Sequence, residues 1–230
     1  MRSIQARLVE LRREIDALCE GCGRSPDAVE ILAVSKTRSV EQVEAAVAAG
    51  QMAYGENRVG ELVGKANEMV GRGLSWHMIG SVQTNKLRDL CAVPGLKLLH
   101  SLDRVRLVDA LQKQCEQQNL VLGCLLQINA TGEQGKHGVR PAEVEALAAH
   151  VVADCPRLDL QGVMAMGPLV GDPQPVFTEV TTILKGLRDR LGLPLATVSM
   201  GMTGDLPAAI TAGSTLVRVG TGVFGPRSDC

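Results

Sequence analysis

Eight short apolar runs alternate with helical segments along the 230 residues of this chain, and this alternation constrains the fold more than any other feature. The runs that predict strands cover residues 31–35, 51–54, 76–79, 98–101, 125–128, 162–165, 197–199 and 216–219. Helical patterns fall between them near residues 40–49, 58–70, 84–91, 103–118, 141–153, 174–191 and 205–212. Strands that alternate with helices predict a parallel sheet, because each helix returns the chain to the end where the next strand begins.

Such a sheet can stay open and doubly wound, or it can close into a barrel. The count of eight strands, the absence of an opening G-x-G-x-x-G motif and a length near the ~250 residues typical of such barrels favour a (β/α)8 TIM barrel. No linker rich in proline, glycine or serine divides the chain, so we expect one domain over residues 1–230. An extra helix is predicted before the first strand. Its apolar face consists of Ile4, Leu8, Leu11, Ile15 and Leu18.

Several helix ends carry the residues that helix termini prefer. Ser39 and Asp103 precede helical segments and are expected as N-caps, since their side chains can accept from the first backbone N–H groups. Pro141 suits a first helical turn. Gly50 and Gly192 follow helical segments and are expected to end them in the left-handed conformation that glycine adopts easily.

The balance of charge excludes one large class of function. The chain has 24 basic and 25 acidic side chains, one Trp, one Tyr and two Phe. A nucleic-acid-binding protein would show a basic excess and aromatic stacking surfaces, so we expect no nucleic-acid partner. We also expect no membrane association, because no apolar run is long enough to cross a bilayer and the N-terminal segment is too acidic for a targeting signal.

Seven cysteines are scattered along the chain. Their odd number and the missing secretory signal indicate reduced thiols, so we expect a cytoplasmic protein. Cys19 and Cys22 form a C-x-x-C motif. A zinc site would need a second such pair or nearby histidines, and a redox motif would follow a strand. The motif is therefore interpreted as two thiols near a helix end, and no metal site is predicted.

Small and polar residues collect where the predicted strands end, which is the rim on which TIM barrels build their sites. The seventh strand ends at Ser199 and is followed by Gly201, Thr203 and Gly204, and the eighth is followed by Gly220, Thr221 and Gly222. Glycines let backbone N–H groups approach an anion and hydroxyl groups add donors, so these two turns predict a phosphate site. Residues 222–225 are expected to form the short helix that faces the phosphate. Glycines that merely shape two tight turns are the alternative.

Two basic residues lie close to this predicted phosphate site in the expected barrel. Lys36 follows the first strand, and its amine could form a Schiff base with the aldehyde of pyridoxal 5′-phosphate (PLP). A solvated lysine at a strand end is the alternative. Arg218 interrupts the apolar run 216–219. If it points inward it needs an acceptor, and a pyridine nitrogen is one. An arginine on the outer face that reaches a helix carboxylate is equally compatible with the sequence.

A set of longer motifs spans nearly the whole chain. They are AVSKT (33–37), YGEN (54–57), WHMIG (76–80) with QTNK (83–86), HSLD (100–103), GVMAM (162–166), SMGM (199–202) and RVGTGVFG (218–225). With these motifs the chain resembles the pyridoxal phosphate homeostasis protein family, whose fold is similar to the N-terminal barrel of alanine racemase.

This resemblance implies a complete set of PLP contacts. The implied cofactor-binding residues are Lys36, Asn57, Ser199, Met200, Gly201, Arg218, Gly220 and Thr221. Lys36 would carry PLP as an internal aldimine, Arg218 would lie close to the pyridine nitrogen and Asn57 near the ring substituents. The family usually has a second lysine in the loop after strand 5, where this chain has Lys136.

The combined prediction is a protein that holds PLP and buffers it, or passes it to apo-enzymes, without catalytic turnover. A racemase needs a second base, and racemases of this kind use a second domain, for which this sequence shows no counterpart. We also expect a monomer, because the racemases use that second domain for their dimer contacts. One alternative is a small amino-acid racemase with Lys36 and Tyr54 as bases; another is a phosphosugar barrel with a Schiff-base lysine. His77 is interpreted as a core histidine.

Overall fold

The computed structural model describes residues 2–133 and 135–226 and contains the predicted closed barrel of parallel strands. Each strand pairs with its neighbours in sequence, and the last pairs with the first, which closes the barrel. The strands are β1 (Glu30–Val34), β2 (Ala53–Glu56), β3 (Ser75–Met78), β4 (Leu96–Leu102), β5 (Leu122–Ile128), β6 (Leu158–Ala165), β7 (Thr197–Ser199) and β8 (Leu216–Val219).

Helices connect the strands and cover the outside of the barrel. They are α1 (Ile4–Gly21), α2 (Val40–Ala48), α3 (Val59–Glu68), α4 (Leu87–Cys91), α5 (Val105–Gln117), α6 (Val144–Asp154), α7 (Gln174–Leu191), α8 (Leu206–Thr211) and α9 (Thr221–Phe224). The extra helix α1 is confirmed, and it packs against α8 and α9. Across the described ranges, none of the helices combines the length and the apolar character that spanning a bilayer requires.

Most of the predicted boundaries are confirmed to within a few residues; β5 and β6 begin earlier than predicted, at Leu122 and Leu158, and two further details are wrong. The second strand is Ala53–Glu56 and not residues 51–54, so Glu56 belongs to the barrel wall. The N-cap of α5 is Arg104, which makes no side-chain cap, whereas Asp103 forms an ion pair with it. Ser39, in contrast, caps α2 through a reciprocal pair of hydrogen bonds with Gln42.

Alternation along the strands divides the buried side chains into an inner and an outer layer. Inside the barrel lie two small apolar clusters, formed by Leu32, Ala53 and Leu216 and by Leu98, Leu125 and Met164. The much larger outer cluster lies between the strands and the helices and includes Tyr54 and Trp76, whose ring centroids are 5.5 Å apart. Neighbouring residues of one strand therefore face different environments.

A buried charge cluster supports the turn after β1 from outside the barrel. Oε1 of Glu56 accepts from Ser35 Oγ at 2.6 Å and from Lys65 Nζ at 2.7 Å. Lys65 Nζ also donates to the Ser35 carbonyl at 2.6 Å and to Glu61 at 2.7 Å. Glu61 in turn accepts from the backbone N–H of Thr37, which has a left-handed φ of 63°. The cluster thus fixes the backbone on both sides of residue 36.

The electrostatic balance of this cluster depends on Lys65. Glu56 is fully buried, and its Oε2 has no hydrogen-bond partner among the described residues. Burial raises the pKa of Glu56 above its ordinary value, whereas the hydrogen bonds from Lys65 and Ser35 act in the opposite direction. A buried carboxylate without a cation would be strongly destabilising.

One glycine is required by the pairing of β6. The register of β5 against β6 shifts between Cys124 and Leu125, so that one residue of β6, Gln161, is left out of the pairing. Gly162 follows the shift with a φ of 155°, and a Cβ there would overlap the carbonyl oxygen of Thr197 on β7. A backbone carbonyl in a sheet cannot give way as a flexible side chain can.

We expect Gly162→Ala to lower the free energy of unfolding by about 3 kcal/mol, because the new methyl group collides with the neighbouring strand. Gly186→Ala is the matched control, since Gly186 lies in α7 with open space around it. It should be neutral or stabilise the protein by roughly 0.5–1 kcal/mol. Urea denaturation followed by circular dichroism measures both; equal stability of the two variants would contradict the argument.

We expect Lys65→Met to lower the free energy of unfolding by about 3–5 kcal/mol, because it leaves the carboxylate of Glu56 buried without its cation. The loss should shrink as the pH falls, since protonation of Glu56 removes the buried charge. Lys185→Met, at an exposed position on α7, is the control and should change stability by less than about 0.5 kcal/mol. Chemical denaturation at several pH values measures both variants. A loss of stability in Lys65→Met that does not vary with pH would contradict the role assigned to Glu56.

Candidate functional site

A cavity of about 370 Å³ opens at the carboxyl ends of the strands. This is the rim that the sequence predicted for the site. The residues that line the cavity are Val34, Lys36, Arg38, Asn57, Ile79, Met164, Met166, Met202, Thr203, Gly204, Arg218, Gly220 and Thr221. Five of the eight predicted cofactor-binding residues are among them: Lys36, Asn57, Arg218, Gly220 and Thr221.

The charge of this cavity is positive. Lys36, Arg38 and Arg218 line it, and none of its lining residues in the described part of the chain carries a carboxylate. Both arginines are largely buried, at 9% and 5% relative exposure. Buried cations that face a cavity without carboxylates favour an anionic or electron-rich ligand.

Arg218 points into the barrel and not toward an outer helix, so the inward orientation is the correct one of the two that the sequence allowed. Its Nη1 donates to the carbonyl of Ser199 at 2.6 Å and to the Ser199 hydroxyl at 2.7 Å, and its Nη2 donates to the carbonyl of Ala165 at 2.9 Å. All three acceptors are uncharged. Burial lowers the pKa of Arg218 to about 10, with Asp205 opposing the shift, so the guanidinium stays protonated at neutral pH.

Backbone of the last two βα turns forms one wall of the cavity. Thr203 and Gly204 line it from the turn after β7, and Gly220 and Thr221 line it from the turn after β8. The short helix predicted near residues 222–225 is α9, which begins at Thr221. The first N–H groups of a helix lack partners within it, and Gly220 and Thr221, at the start of α9, line the cavity. This wall has the donors that a phosphate group requires.

Three predicted residues lie behind the cavity wall and do not line it. Ser199 is fully buried, and its hydroxyl contacts Arg218. Met200 is a fully buried member of the outer core. Gly201 accepts from the backbone N–H of Arg218 at 2.9 Å, and a Cβ at this glycine would lie 2.7 Å from the Cβ of Ala209. Ser199 is thus connected to the site through Arg218, whereas Met200 and Gly201 contact the surrounding structure.

Tyr54 cannot serve as the second base that the racemase alternative assigned to it. Its ring is fully buried on the outer side of β2, and its hydroxyl donates to the carbonyl of Gln51 at 2.9 Å. Burial also raises the pKa of Tyr54 far above its ordinary value. The error is one of parity, because Tyr54 lies an odd number of residues from Asn57, which faces the cavity.

Lys136 belongs to the same rim but is engaged in the loops. Its Nζ donates to the carbonyl of Gly167 at 2.9 Å and lies 3.1 Å from Glu133 Oε2. It therefore connects the loop after β5 with the loop after β6.

Arg38 was not predicted from the sequence. It donates to the carbonyl of Gly225 at 2.5 Å, and its guanidinium carbon lies 5.7 Å from the centroid of the Phe224 ring. It thereby brings a second buried guanidinium next to the end of α9. Its position in the turn after β1, two residues after Lys36, is the sequence signal that could have identified it.

Comparison with known proteins gives consistent results for sequence and fold. The family described as alanine racemase, N-terminal domain, matches residues 7–228. The pyridoxal phosphate homeostasis protein of Escherichia coli K12 is 38% identical over an alignment 239 residues long, gaps included. The alignment covers 99% of this chain and 98% of that protein. PipY of Synechococcus elongatus, solved without PLP, has a TM-score of 0.87 at 30% identity and covers 96% of this chain and 100% of its own.

Two further solved structures are similar to this chain, to different degrees. PipY has also been solved with PLP bound, and that structure has a TM-score of 0.83 with the same coverage. Alanine racemase of Clostridium difficile is 12% identical with a TM-score of 0.75, and the match covers 99% of this chain but 57% of the racemase, which is a likeness of fold alone. Because the family match and the identity to the Escherichia coli protein extend over nearly the whole chain, this chain belongs to the alanine racemase N-terminal domain family and, within it, to the pyridoxal phosphate homeostasis proteins.

Proposed function

We propose that this protein binds one PLP in the cavity at the carboxyl ends of the strands and serves in PLP homeostasis as a carrier and buffer. The observation that carries the proposal is the combination, in a single cavity, of one lysine, two buried guanidinium groups and the backbone of two glycine-containing turns. The names of the curated relatives and the PLP-bound structure of PipY support it.

The residues of the cavity fit the chemical groups of PLP. When bound, PLP supplies an aldehyde that condenses reversibly with a primary amine. Lys36 is the primary amine that lines the cavity within the described residues. The turns containing Gly204 and Gly220, with the hydroxyl of Thr221, would hold the phosphate. Arg218 would donate to the pyridine nitrogen, and Asn57 would contact the ring substituents.

A guanidinium at the ring nitrogen has a chemical consequence. Because Arg218 stays protonated at neutral pH, a second proton on the adjacent nitrogen would place two positive charges together. The ring would then be a weak electron sink, which disfavours reactions at the Cα of an amino acid. The lining residues in the described part of the chain include no Tyr, His, Cys, Asp or Glu side chain that could act as a second base beside Lys36, which supports a carrier.

The proposal extends to the setting in which the protein acts. A carrier of a reactive aldehyde would deliver it to apo-forms of PLP-dependent enzymes in the cytoplasm. We further propose that the barrel is the single domain of the chain and acts as a monomer, since the cavity is built by residues of one chain.

We expect Lys36→Ala to abolish the visible absorption band that PLP shows when it is bound to a lysine. Borohydride reduction of the unsubstituted protein should attach PLP irreversibly to Lys36, which peptide mass spectrometry would locate. Lys113→Ala, at an exposed position on α5, is the control and should retain the band. Attachment of PLP to another lysine, or an unchanged band in Lys36→Ala, would contradict the assignment.

We expect Tyr54→Phe to retain the PLP absorption band, because the tyrosine faces the helices and not the cavity. Its stability should fall by about 1 kcal/mol, since the carbonyl of Gln51 loses a buried donor. The unsubstituted protein should show no racemisation of L-alanine or other amino acids at ordinary enzyme rates, measured by chiral chromatography. Turnover that disappears in Tyr54→Phe would favour the racemase and overturn the carrier.

A further inference from the structure

A chain of hydrogen bonds runs along the inside of the barrel beneath the cavity. Ser75 Oγ lies 3.3 Å from His77 Nε2, and His77 Nδ1 lies 2.9 Å from His100 Nε2. His100 Nδ1 lies 3.0 Å from Ser199 Oγ, which lies 2.7 Å from Arg218 Nη1. The two histidines and Ser199 are 4%, 0% and 0% exposed. The chain thus connects the first residue of β3, at the opposite rim, with the guanidinium that lines the cavity.

The direction of every hydrogen bond in this chain follows from Arg218. A guanidinium has only donors, so the oxygen of Ser199 must accept from it. The single hydrogen of that hydroxyl then has to be donated elsewhere, and among the described residues its other partner is His100 Nδ1. His100 therefore carries its hydrogen on Nε2 and donates to His77 Nδ1, and His77 carries its hydrogen on Nε2 and donates to Ser75.

The surroundings of both rings agree with this assignment. Each ring accepts at one nitrogen and donates at the other, which requires the neutral form. Burial, with a contribution from Lys97, lowers the pKa of His77 to about 4. Burial, with contributions from His77 and Arg218, lowers the pKa of His100 well below its ordinary value. Both rings are neutral at physiological pH, and neither has a buried nitrogen without a partner.

A proton conduit and a fixed relay are the two functions that such a chain can have. A conduit into the cavity would have to pass its proton through Arg218, which keeps its protons at neutral pH. The chain therefore ends there as a static array. What it supplies is an orientation: because His100 takes the serine hydrogen, a lone pair of the Ser199 oxygen is turned toward Arg218.

We propose that His77 and His100 are positioning residues which, through Ser199, orient Arg218 toward the ligand of the cavity. The position of Arg218 depends on Ser199 and Ala165 because its acceptors are neutral oxygens and not a carboxylate. Without the accepting nitrogen of His100, the serine hydroxyl could rotate, and its lone pair would no longer be held toward the guanidinium. The effect on the ligand rests on the proposed function, whereas the direction of the relay does not.

Nitrogen-15 NMR of the ligand-free protein, labelled at histidine, tests the relay without PLP. At neutral pH we expect His77 and His100 as neutral rings with the hydrogen on Nε2. The exposed His137 and the solvent-accessible His150 provide reference signals, and single His→Gln variants assign them. Ser199→Ala should shift the Nδ1 signal of His100, because that nitrogen loses its donor. A hydrogen on Nδ1 of either ring, or a charged ring, would overturn the relay.

Release of PLP tests the effect on the ligand. Loading the protein with PLP and trapping the released PLP with an excess of an apo-enzyme gives the rate of loss. We expect His100→Phe to lose PLP about tenfold faster, because Ser199 no longer has an acceptor for its hydrogen. His100→Asn should recover most of the retention, since its amide oxygen can take the place of Nδ1.

A core-packing variant separates positioning from general destabilisation. Leu98→Ala removes a buried side chain of the same strand and the same inner layer, two residues before His100. Equal acceleration of PLP loss in Leu98→Ala and His100→Phe, or no recovery in His100→Asn, would overturn the positioning role. If the unsubstituted protein shows no PLP band at all, the proposed function fails while the NMR result still decides the relay.

Discussion

The alternation of side chains along the barrel strands determines which residues meet in the cavity. In a closed barrel, neighbouring residues of one strand face either the interior or the surrounding helices. Along β8 this puts Leu216 and Arg218 inside and Val217 outside. Along β2 it puts Tyr54 outside, and Glu56 outside with it, so that Asn57 reaches the cavity. The cavity is assembled from every second residue of several strands, and a shift of one residue would replace its lining with residues of the outer core.

Positive charge lines the cavity inside the barrel, whereas a buried carboxylate lies on the outer side of the barrel wall. The cavity contains buried cations without carboxylates, whereas Glu56 lies on the outer side of the wall and is balanced by Lys65. If the carboxylate of Glu56 faced inward, it would pair with Arg218 or repel a phosphate. Its outward position leaves the positive charge of the interior to an anionic ligand and uses the negative charge to hold the turn that carries Lys36.

Much of the fold and part of the site could be predicted from the sequence. The barrel and the strand ends follow from short apolar runs, and Lys36 and Gly220, expected at this rim, line the cavity. Tyr54 was misplaced because the predicted second strand ended two residues early, which hid the parity of its positions. The ion pair of Glu56 with Lys65 and the chain from His77 to Arg218 depend on partners brought together by the closed fold. No local pattern predicts such pairs.

The relay inside the barrel also bears on how this protein can change during evolution. Each link carries one hydrogen, and the direction of all links is set at one end, so the members are compatible only as a set. Loss of the serine leaves an imidazole nitrogen without its donor, and loss of the imidazole leaves the serine hydrogen without its acceptor. Such positions are expected to be retained together or replaced together. Substitutions at these positions of β3, β4, β7 and β8 are therefore expected to depend on one another.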